Sequence, residues 1–342
     1  MTRSEKFLGI FGATAFMAAA VFSVSAQDGG EAAPAAEGGG DKAEAPAVPV
    51  KARPAEIMPL TAKGLLLDVV HTGEQYVAVG DRGGIIVSAD GKDWTQKPVP
   101  VRAALTAVTF ADAKHGWAVG HDAAIVGTAD GGHTWTLQNF KPELEKPLLD
   151  VLFLDAQHGF AVGAYGLFLK TEDAGSTWGE VDAPAVRADE VHLNSITRLG
   201  DGSLFIAGES GMLAVSPDQG KTWSKVNTPY ESSLFGALPV GDKGAIMYGL
   251  RGNIFVTQDV RSGKWTKVET GNVSSMFGGT RLPDGRLVMV GLNGVIWTTD
   301  ANGGGVRRVP TTVGTTQSAV VAFKSGLLMV GESGVQVVSK LQ

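Results

Sequence analysis

The 342-residue chain contains no cysteine. It can therefore form no disulfide, and it lacks the thiol on which a bacterial lipid anchor is built, so its fold must be held by an apolar core alone. Basic runs are also missing, and 29 lysines and arginines face 35 acidic residues. This balance argues against a nucleic-acid partner.

Several catalytic fingerprints are absent as well. The chain has no G-x-S-x-G, no P-loop and no dinucleotide fingerprint, and its G-x-x-G pairs stand in turns between strands rather than before helices. The six histidines show no ligand spacing. We therefore expect no metal and no cofactor.

One long apolar run occurs, at the start of the chain. Arg3 and Lys6 precede apolar residues 7–24, and small residues follow, so residues 1–26 are predicted to be a cleaved signal peptide of a periplasmic or otherwise exported protein. An uncleaved membrane anchor is the alternative, because the run just reaches spanning length. Residues 27–55, rich in Ala, Pro, Gly and Glu, are predicted to be a disordered linker.

The rest of the chain is a repeat with a period near 42 residues. Each unit has a strand that ends in a glycine, a short turn and a second apolar strand. In the first six units a turn related to S/T-x-D-x-G-x-T-W follows, the Asp box; the first box is one residue short, the fifth carries an insertion and the sixth lacks the Trp. We call the glycine that ends the strand the key glycine. The seven key glycines are Gly80, Gly120, Gly163, Gly208, Gly249, Gly291 and Gly331. The Asp-box aspartates are Asp90, Asp130, Asp173, Asp218, Asp259 and Asp300.

Seven such units predict an all-β fold, a seven-bladed β-propeller of four-stranded antiparallel blades over residues 56–342. The Asp-box carboxylates and tryptophans are interpreted as turn and packing residues rather than as a catalytic set. The last unit leaves room for only three strands. Residues 56–60 are therefore predicted to supply its outer strand and to close the ring.

The repeat resembles that of the Ycf48-like proteins, the photosystem II stability and assembly factors. The likeness is carried by Phe110 to Asp112 and Gly116 to Trp135, with a second copy from Phe153 to Trp178, and it extends over all seven units. It implies a propeller without catalysis that binds a membrane complex. Exported relatives of this type are also found beside RND-type exporters, so the resemblance leaves two kinds of membrane partner open.

A sialidase-like glycoside hydrolase is the enzymatic alternative on this scaffold. That chemistry needs three arginines on a carboxylate, a tyrosine with its base and an acid–base aspartate. No Arg-Ile-Pro motif occurs and tyrosine is scarce, although Arg82, Arg251 and Arg281 could in principle converge. We expect no enzymatic activity, and a glycan-binding or small-ligand propeller remains a further alternative.

The turns after the key glycines are the candidate partner site. Their frame is constant while the residues within them differ from blade to blade, which is typical of a scaffold that carries a specific surface. The predicted partner-binding residues are Arg82, His121, Asp122, Tyr165, Glu209, Arg251, Asn293 and Glu332. Loops 138–147 and 181–192 should add contacts. The expected function is that of a monomeric docking scaffold or assembly factor for an inner-membrane complex.

Overall fold

The structure is a computed structural model that describes residues 50–341. The predicted signal peptide and most of the predicted linker lie outside the described residues. Within residues 50–341 the chain forms 27 β-strands, grouped in seven antiparallel sheets that follow one another in sequence. The predicted all-β fold class, a seven-bladed propeller, is confirmed.

The strands of each blade run from the innermost to the outermost in chain order. Blade one has β1 (Leu66–His71), β2 (Tyr76–Gly80), β3 (Ile85–Ser88) and β4 (Thr95–Gln96). Blade two has β5 (Leu105–Phe110), β6 (Gly116–Gly120), β7 (Ile125–Thr128) and β8 (Thr136–Asn139). Blade three has β9 (Leu148–Phe153), β10 (Gly159–Gly163), β11 (Phe168–Thr171) and β12 (Gly179–Glu180). Blade four has β13 (Leu193–Arg198), β14 (Leu204–Gly208), β15 (Leu213–Ser216) and β16 (Ser224–Lys225).

The last three blades continue the pattern. Blade five has β17 (Leu234–Val240), β18 (Gly244–Gly249), β19 (Ile254–Thr257) and β20 (Thr266–Val268). Blade six has β21 (Met276–Arg281), β22 (Leu287–Gly291), β23 (Ile296–Thr299) and β24 (Arg307–Arg308). Blade seven has only β25 (Gln317–Phe323), β26 (Gly326–Gly331) and β27 (Gly334–Val338).

Short helices lie only in the connections. One turn of α-helix, α1, spans Pro184–Arg187 in the loop after blade three. Single 3-10 turns are formed by Thr61–Lys63, Asp81–Gly83, His121–Ala123, Pro142–Leu144, Ala164–Gly166, Glu209–Gly211, Leu250–Gly252, Val260–Ser262 and Leu292–Gly294. Over residues 50–341, no helix has the length and apolar character needed to cross a membrane.

The core lies in the seams between adjacent blades. The second strand of every blade is buried over its whole length, because both of its faces are covered by neighbouring blades. In the seam between blades two and three, Trp117 stacks on Phe153 with ring centroids 3.3 Å apart, and the Asp-box tryptophan Trp178 meets Phe153 edge-on. Burial of each large apolar side chain contributes about 1.5–3 kcal/mol, so the seams supply most of the stability.

The Asp boxes form the turns between the third and fourth strands. In blade two, Asp130 Oδ1 accepts the Thr134 N–H at 2.9 Å and the Thr128 hydroxyl at 2.8 Å, while its Oδ2 accepts the Thr134 hydroxyl. Burial alone would raise the Asp130 pKa, but the hydrogen bonds from Thr134 and Thr128 together lower it to about 2. The carboxylate is fully engaged in the turn, as predicted for a structural role.

At each key glycine, the start of the blade's inner strand lies against the turn that joins the second and third strands. The amide that follows each key glycine donates to the carbonyl that precedes the inner strand, at 2.8–3.1 Å in all seven blades. A Cβ on any key glycine would lie 2.0–2.4 Å from that same carbonyl oxygen. The glycine is therefore required by close backbone approach, since its own φ is an extended value that any residue adopts.

The predicted closing strand is wrong. Residues 56–60 form no strand and instead lie along blade one, where the Gln96 side chain bonds the Met58 N–H and the Glu56 carbonyl at 2.7 and 2.9 Å. Blade seven is three-stranded. The N-terminal segment still closes the ring, but as a loop. The 3-10 turn Thr61–Lys63 packs over the blade-seven turn so closely that a Cβ on Gly334 would lie 2.1 Å from the Ala62 oxygen.

The prolines at residues 54 and 59 and the polar side chain of Gln96 account for this difference. The Gln96 side chain accepts the Met58 N–H and donates to the Glu56 carbonyl, so these two backbone groups are not available to pair with blade seven, and the prolines have no N–H to donate. The seam between blades seven and one is instead held by apolar packing. The rings of Tyr76, at the start of β2, and Phe323, at the end of β25, are 5.7 Å apart in this seam.

The close approach at the key glycines gives a stability prediction. Gly120→Ala should lower the free energy of unfolding by about 3 kcal/mol, because the added Cβ forces the blade-two turn off the inner strand. Urea unfolding followed by tryptophan fluorescence measures this loss. Gly179→Ala in β12 is the matched control, since nothing lies within 4 Å of its added Cβ and its φ is unrestricted. Equal stability of the two variants would contradict the assigned role.

Candidate functional site

The turns after the key glycines lie together on one face of the ring. The loops that lead from each blade to the next pass directly over these turns; a Cβ on Gly83 would meet the Val101 oxygen at 2.1 Å, and one on Gly294 the Val313 oxygen at 2.0 Å. We call this surface of turns and crossing loops the turn face. All eight predicted partner-binding residues lie on it, in seven different blades.

Six turns place their middle residue in the left-handed region. Arg82, Asp122, Tyr165, Ser210, Arg251 and Asn293 have φ between 52° and 60°. For a non-glycine residue this conformation costs about 1 kcal/mol, and it points the side chain away from the turn. Arg82, Tyr165, Arg251 and Asn293 are exposed. Their outward direction is thus fixed by the backbone.

Two of the predicted partner-binding residues also form hydrogen bonds that stabilise the fold. The Glu209 carboxylate accepts the His192 N–H at 3.1 Å, and the Glu332 carboxylate accepts the Thr316 N–H at 3.4 Å. Both N–H groups belong to the residue just before an inner strand. These glutamates therefore help to position the inner strand as well as lining the face.

The remaining side chains differ in how firmly they are held. The Tyr165 ring meets the His192 ring edge-on at 4.9 Å, and Lys146 donates to the Tyr165 carbonyl at 3.2 Å. Arg82 pairs with the neighbouring Asp81 at 3.4 Å. The Arg251 guanidinium forms no hydrogen bond or ion pair with any residue of the described chain. It is free to meet a partner.

Most of the exposed apolar side chains lie on the turn face or beside it. Ten large apolar residues are exposed over residues 50–341; three of them are Val50, the first described residue, and Leu137 and Val337 on outer strands. Leu65, Leu144, Tyr165 and Val273 lie in the turns and crossing loops of this face, and Ile57, Met58 and Leu60 lie in the N-terminal segment beside it, where the Met58 sulfur is 4.0 Å from the Arg82 guanidinium. Val273 is 82% exposed, next to the turn that carries Arg251. Such one-sided exposure is typical of an interaction surface.

A cavity of about 590 Å³ occupies the axis of the ring and is lined by the inner strands. Two aspartates of these strands face it and bridge neighbouring blades. Asp68 accepts the Val108 N–H of blade two at 2.8 Å, and Asp150 accepts the Ile196 N–H of blade four at 2.9 Å. Burial raises the pKa of Asp68 to about 7 and that of Asp150 to about 6, although these N–H bonds oppose the shift.

Sequence reasoning missed these aspartates and the tyrosine that approaches them. A signal was available, because the tetrapeptide Leu-Leu-Asp-Val occurs at residues 66–69 and again at 148–151. Each copy places a carboxylate on an otherwise apolar inner strand. Tyr248, the residue before key glycine Gly249, stands where the other blades have valine or alanine.

The three arginines considered for a sialidase-like site do not converge. Arg82 and Arg251 lie in turns of the turn face, whereas Arg281 ends β21 at the opposite end of its strand. There its guanidinium donates to the carbonyls of Gly285, at 3.1 Å, and Pro239. Among residues 50–341, no group of three or more His, Asp or Glu side chains could hold a metal ion.

The fold and its Asp boxes define the class, a seven-bladed Asp-box propeller with one loop-rich face. The family model described as photosynthesis system II assembly factor YCF48 matches residues 86–145 and 136–309, which is more than half of the chain. The chain belongs to this family, and the resemblance seen in the sequence is confirmed. Comparison with the curated protein sequences gives no significant match.

Solved structures agree on the fold. The structure described as YCF48 bound to D1 peptide superposes with a TM-score of 0.66 at 16% identity, covering 87% of this chain and 99% of that one. YCF48 from Cyanidioschyzon merolae gives 0.61 at 18%, covering 82% and 96%. A GH74 xyloglucanase from Xanthomonas campestris gives 0.63 at 16%, covering 86% of this chain and 54% of that one. At these identities the likeness concerns the fold alone.

The raised pKa values predict an unusual pH dependence. Between about pH 4 and pH 7 the folded state holds protons on Asp68 and Asp150 that the unfolded chain has lost, so their contribution to stability falls as pH rises. The melting temperature should therefore drop from about pH 5 to about pH 8, and Asp68→Asn should flatten this slope. Asp182→Asn, in an exposed loop, is the control. An unchanged slope in Asp68→Asn would contradict the assigned pKa.

Proposed function

We propose that the protein is a non-catalytic assembly or accessory factor that docks an extended segment of an integral-membrane complex on its turn face. The observation that carries the proposal is the gathering of exposed apolar side chains on and beside that face. A YCF48 structure with a D1 peptide supports a peptide segment as the partner element. The partner complex is of photosystem type or an RND-type exporter.

The chemistry of the face suits a protein partner. Seven exposed apolar residues, on the face or beside it, stand among the exposed arginines Arg82 and Arg251 and the ordered Tyr165. Aromatic, arginine and apolar side chains surrounded by a polar rim are the usual anchors of protein interfaces. Because the turns are fixed by the key-glycine bonds, the face binds without ordering its own backbone, which lowers the entropic cost of docking.

We also propose that the protein acts outside the cytoplasm, on the membrane surface. The proposal rests on the sequence of residues 1–26 and on the low-complexity segment that follows. N-terminal sequencing of the mature protein recovered from cell fractions tests it, and a cytoplasmic protein that retains Met1 would overturn it.

A crosslinking capture from membranes tests the docking face. The tagged protein should recover one integral-membrane partner, and the double variant Arg82→Glu with Arg251→Glu should reduce the recovery about tenfold, because it reverses two exposed charges on the face. The difference in recovery between the double variant and the original protein should become smaller at high salt, because salt screens exposed charges.

The matched control is Lys92→Glu with Lys114→Glu. It changes the net charge by the same amount, but both lysines are exposed in turns at the opposite end of their blades. Full capture by this control and loss in the arginine variant would support the proposal. Loss in the control with capture kept in the arginine variant would place docking on the other face.

The glycoside-hydrolase alternative has a direct assay. Since Arg281 is bound to backbone carbonyls at the opposite end of its strand from the turn face, Arg82, Arg251 and Arg281 cannot together grip a sialic acid carboxylate. We expect fluorogenic sialosides to stay uncleaved by the purified protein over hours. Turnover that is abolished by Asp150→Asn would overturn the non-catalytic proposal.

A further inference from the structure

One layer of residues around the axial cavity, with one residue from each blade, contains two aspartates. In every blade, the third residue of the inner strand pairs with the residue just before the key glycine, so these seven positions stand at one height. They are Asp68, Ala107, Asp150, Ser195, Gly236, Gly278 and Ala319. The layer thus contains two carboxylates, and its other five residues have a small side chain or, as glycines, none.

The phenol of Tyr248 enters the same layer. Tyr248 pairs with Gly236, and a Cβ on Gly236 would lie 2.3 Å from the Tyr248 hydroxyl oxygen, so the missing side chain is what admits the ring. The side chain is only 4% exposed and lines the cavity. Its hydroxyl forms no hydrogen bond with any residue of the described chain, and the oxygen is open to the cavity. A deeply buried tyrosine whose hydroxyl has no protein partner leaves a donor for a ligand in the cavity.

The two carboxylates also lack a charge partner. No lysine, arginine or histidine within residues 50–341 forms an ion pair with Asp68 or Asp150. Each of their four oxygens accepts one backbone N–H, which leaves further lone pairs free. Two buried carboxylates in one cavity repel each other, and a bound cation would remove this cost.

An apolar wall adjoins the layer toward the turn face. Phe235 and Phe277 are the second residues of β17 and β21, half-buried in the same cavity, with ring centroids 5.3 Å apart. Aromatic rings attract a cation at their faces and cover its hydrocarbon chain. An elongated ligand that enters from the turn face would meet these rings first and the carboxylates below them.

We propose that the axial cavity binds an alkyl cation, with its guanidinium or ammonium head between Asp68, Asp150 and Tyr248 and its hydrocarbon chain against Phe235 and Phe277. The cation is either a free small amine or a basic side chain of a docked peptide. This site is separate from the turn face and does not depend on the proposed docking function. Its volume is within the range of small-molecule sites.

The other charged groups of the cavity are at its far end. His71 ends β1, where its ring lies 4.4 Å from that of Tyr76 and its Nδ1 accepts the Gly73 N–H. Arg281 is held by the carbonyls of Gly285 and Pro239. Neither forms an ion pair with the two aspartates. The middle layer therefore keeps an excess of negative charge.

Calorimetric titration of the protein with butylguanidinium and with butylurea tests the proposal. The two probes have the same shape and differ in charge. At about pH 8 butylguanidinium should bind one site, and butylurea should bind about tenfold more weakly or not at all. Affinity for butylguanidinium should rise from about pH 5 to about pH 8 as both aspartates ionise. Equal binding of the two probes, or no binding of the cation at millimolar concentration, would overturn it.

Tyr248→Phe separates a ligand role from a structural one. The variant removes a hydroxyl that stabilises nothing in the protein, so its melting temperature should match that of the original protein or exceed it. Its affinity for butylguanidinium should fall about fivefold. Asp68→Asn should cause a larger loss and flatten the pH profile, while Tyr165→Phe on the turn face should bind normally. Unchanged binding in both cavity variants would overturn the site.

The two sources of the cation are distinguished by a peptide pair. A short capped peptide with a central arginine is compared with one in which citrulline, the neutral ureido isostere, takes its place. Tighter binding of the arginine peptide than of butylguanidinium would assign the site to a partner's side chain. Weaker binding of this peptide would assign it to a free small amine.

Discussion

The hydrogen bond beside each key glycine sets the geometry of every blade. It joins the amide after the glycine to the carbonyl before the inner strand, at nearly the same length in all seven blades. The contact is so close that no side chain fits at the glycine. It fixes the start of every inner strand relative to the following turn, and therefore the height of every residue that faces the axis. Both the turn face and the axial layer inherit their geometry from it.

The geometry set by the key glycines leaves two regions in which the side chains can differ between blades, the turn face and the axial layer. On the turn face, the backbone holds five of the predicted residues in a left-handed conformation that directs their side chains outward. At the axis, the same register brings Asp68, Asp150 and the Tyr248 phenol to one height although they come from blades one, three and five. The first region varies in charge and apolar content around the ring, and the second is acidic. The two proposals place recognition in the loops of the turn face and in the axial cavity.

The repeat made most of the fold predictable, because the close packing of similar blades requires a key glycine in all seven copies and an Asp-box turn in the six four-stranded ones. The closing strand was predicted wrongly: a sequence pattern indicates that an outer strand is missing, but not that Gln96 would capture residues 56–58 with its side chain. The turn residues were predictable as positions, since Arg82 and Arg251 stand between paired glycines. The bridging roles of Asp68 and Asp150 depend on contacts between different blades, which no single repeat encodes.

The central claim is that partner recognition belongs to the turn face of a ring that does not rearrange. Hydrogen exchange, followed by mass spectrometry on the protein alone and bound to its membrane partner, tests it most directly. We expect slower exchange in the turns that carry Arg82, Tyr165 and Arg251 and in the loops that cross them, with the Asp-box turns unchanged. Protection confined to the Asp-box turns, or faster exchange in the second strands of the blades, would contradict the account.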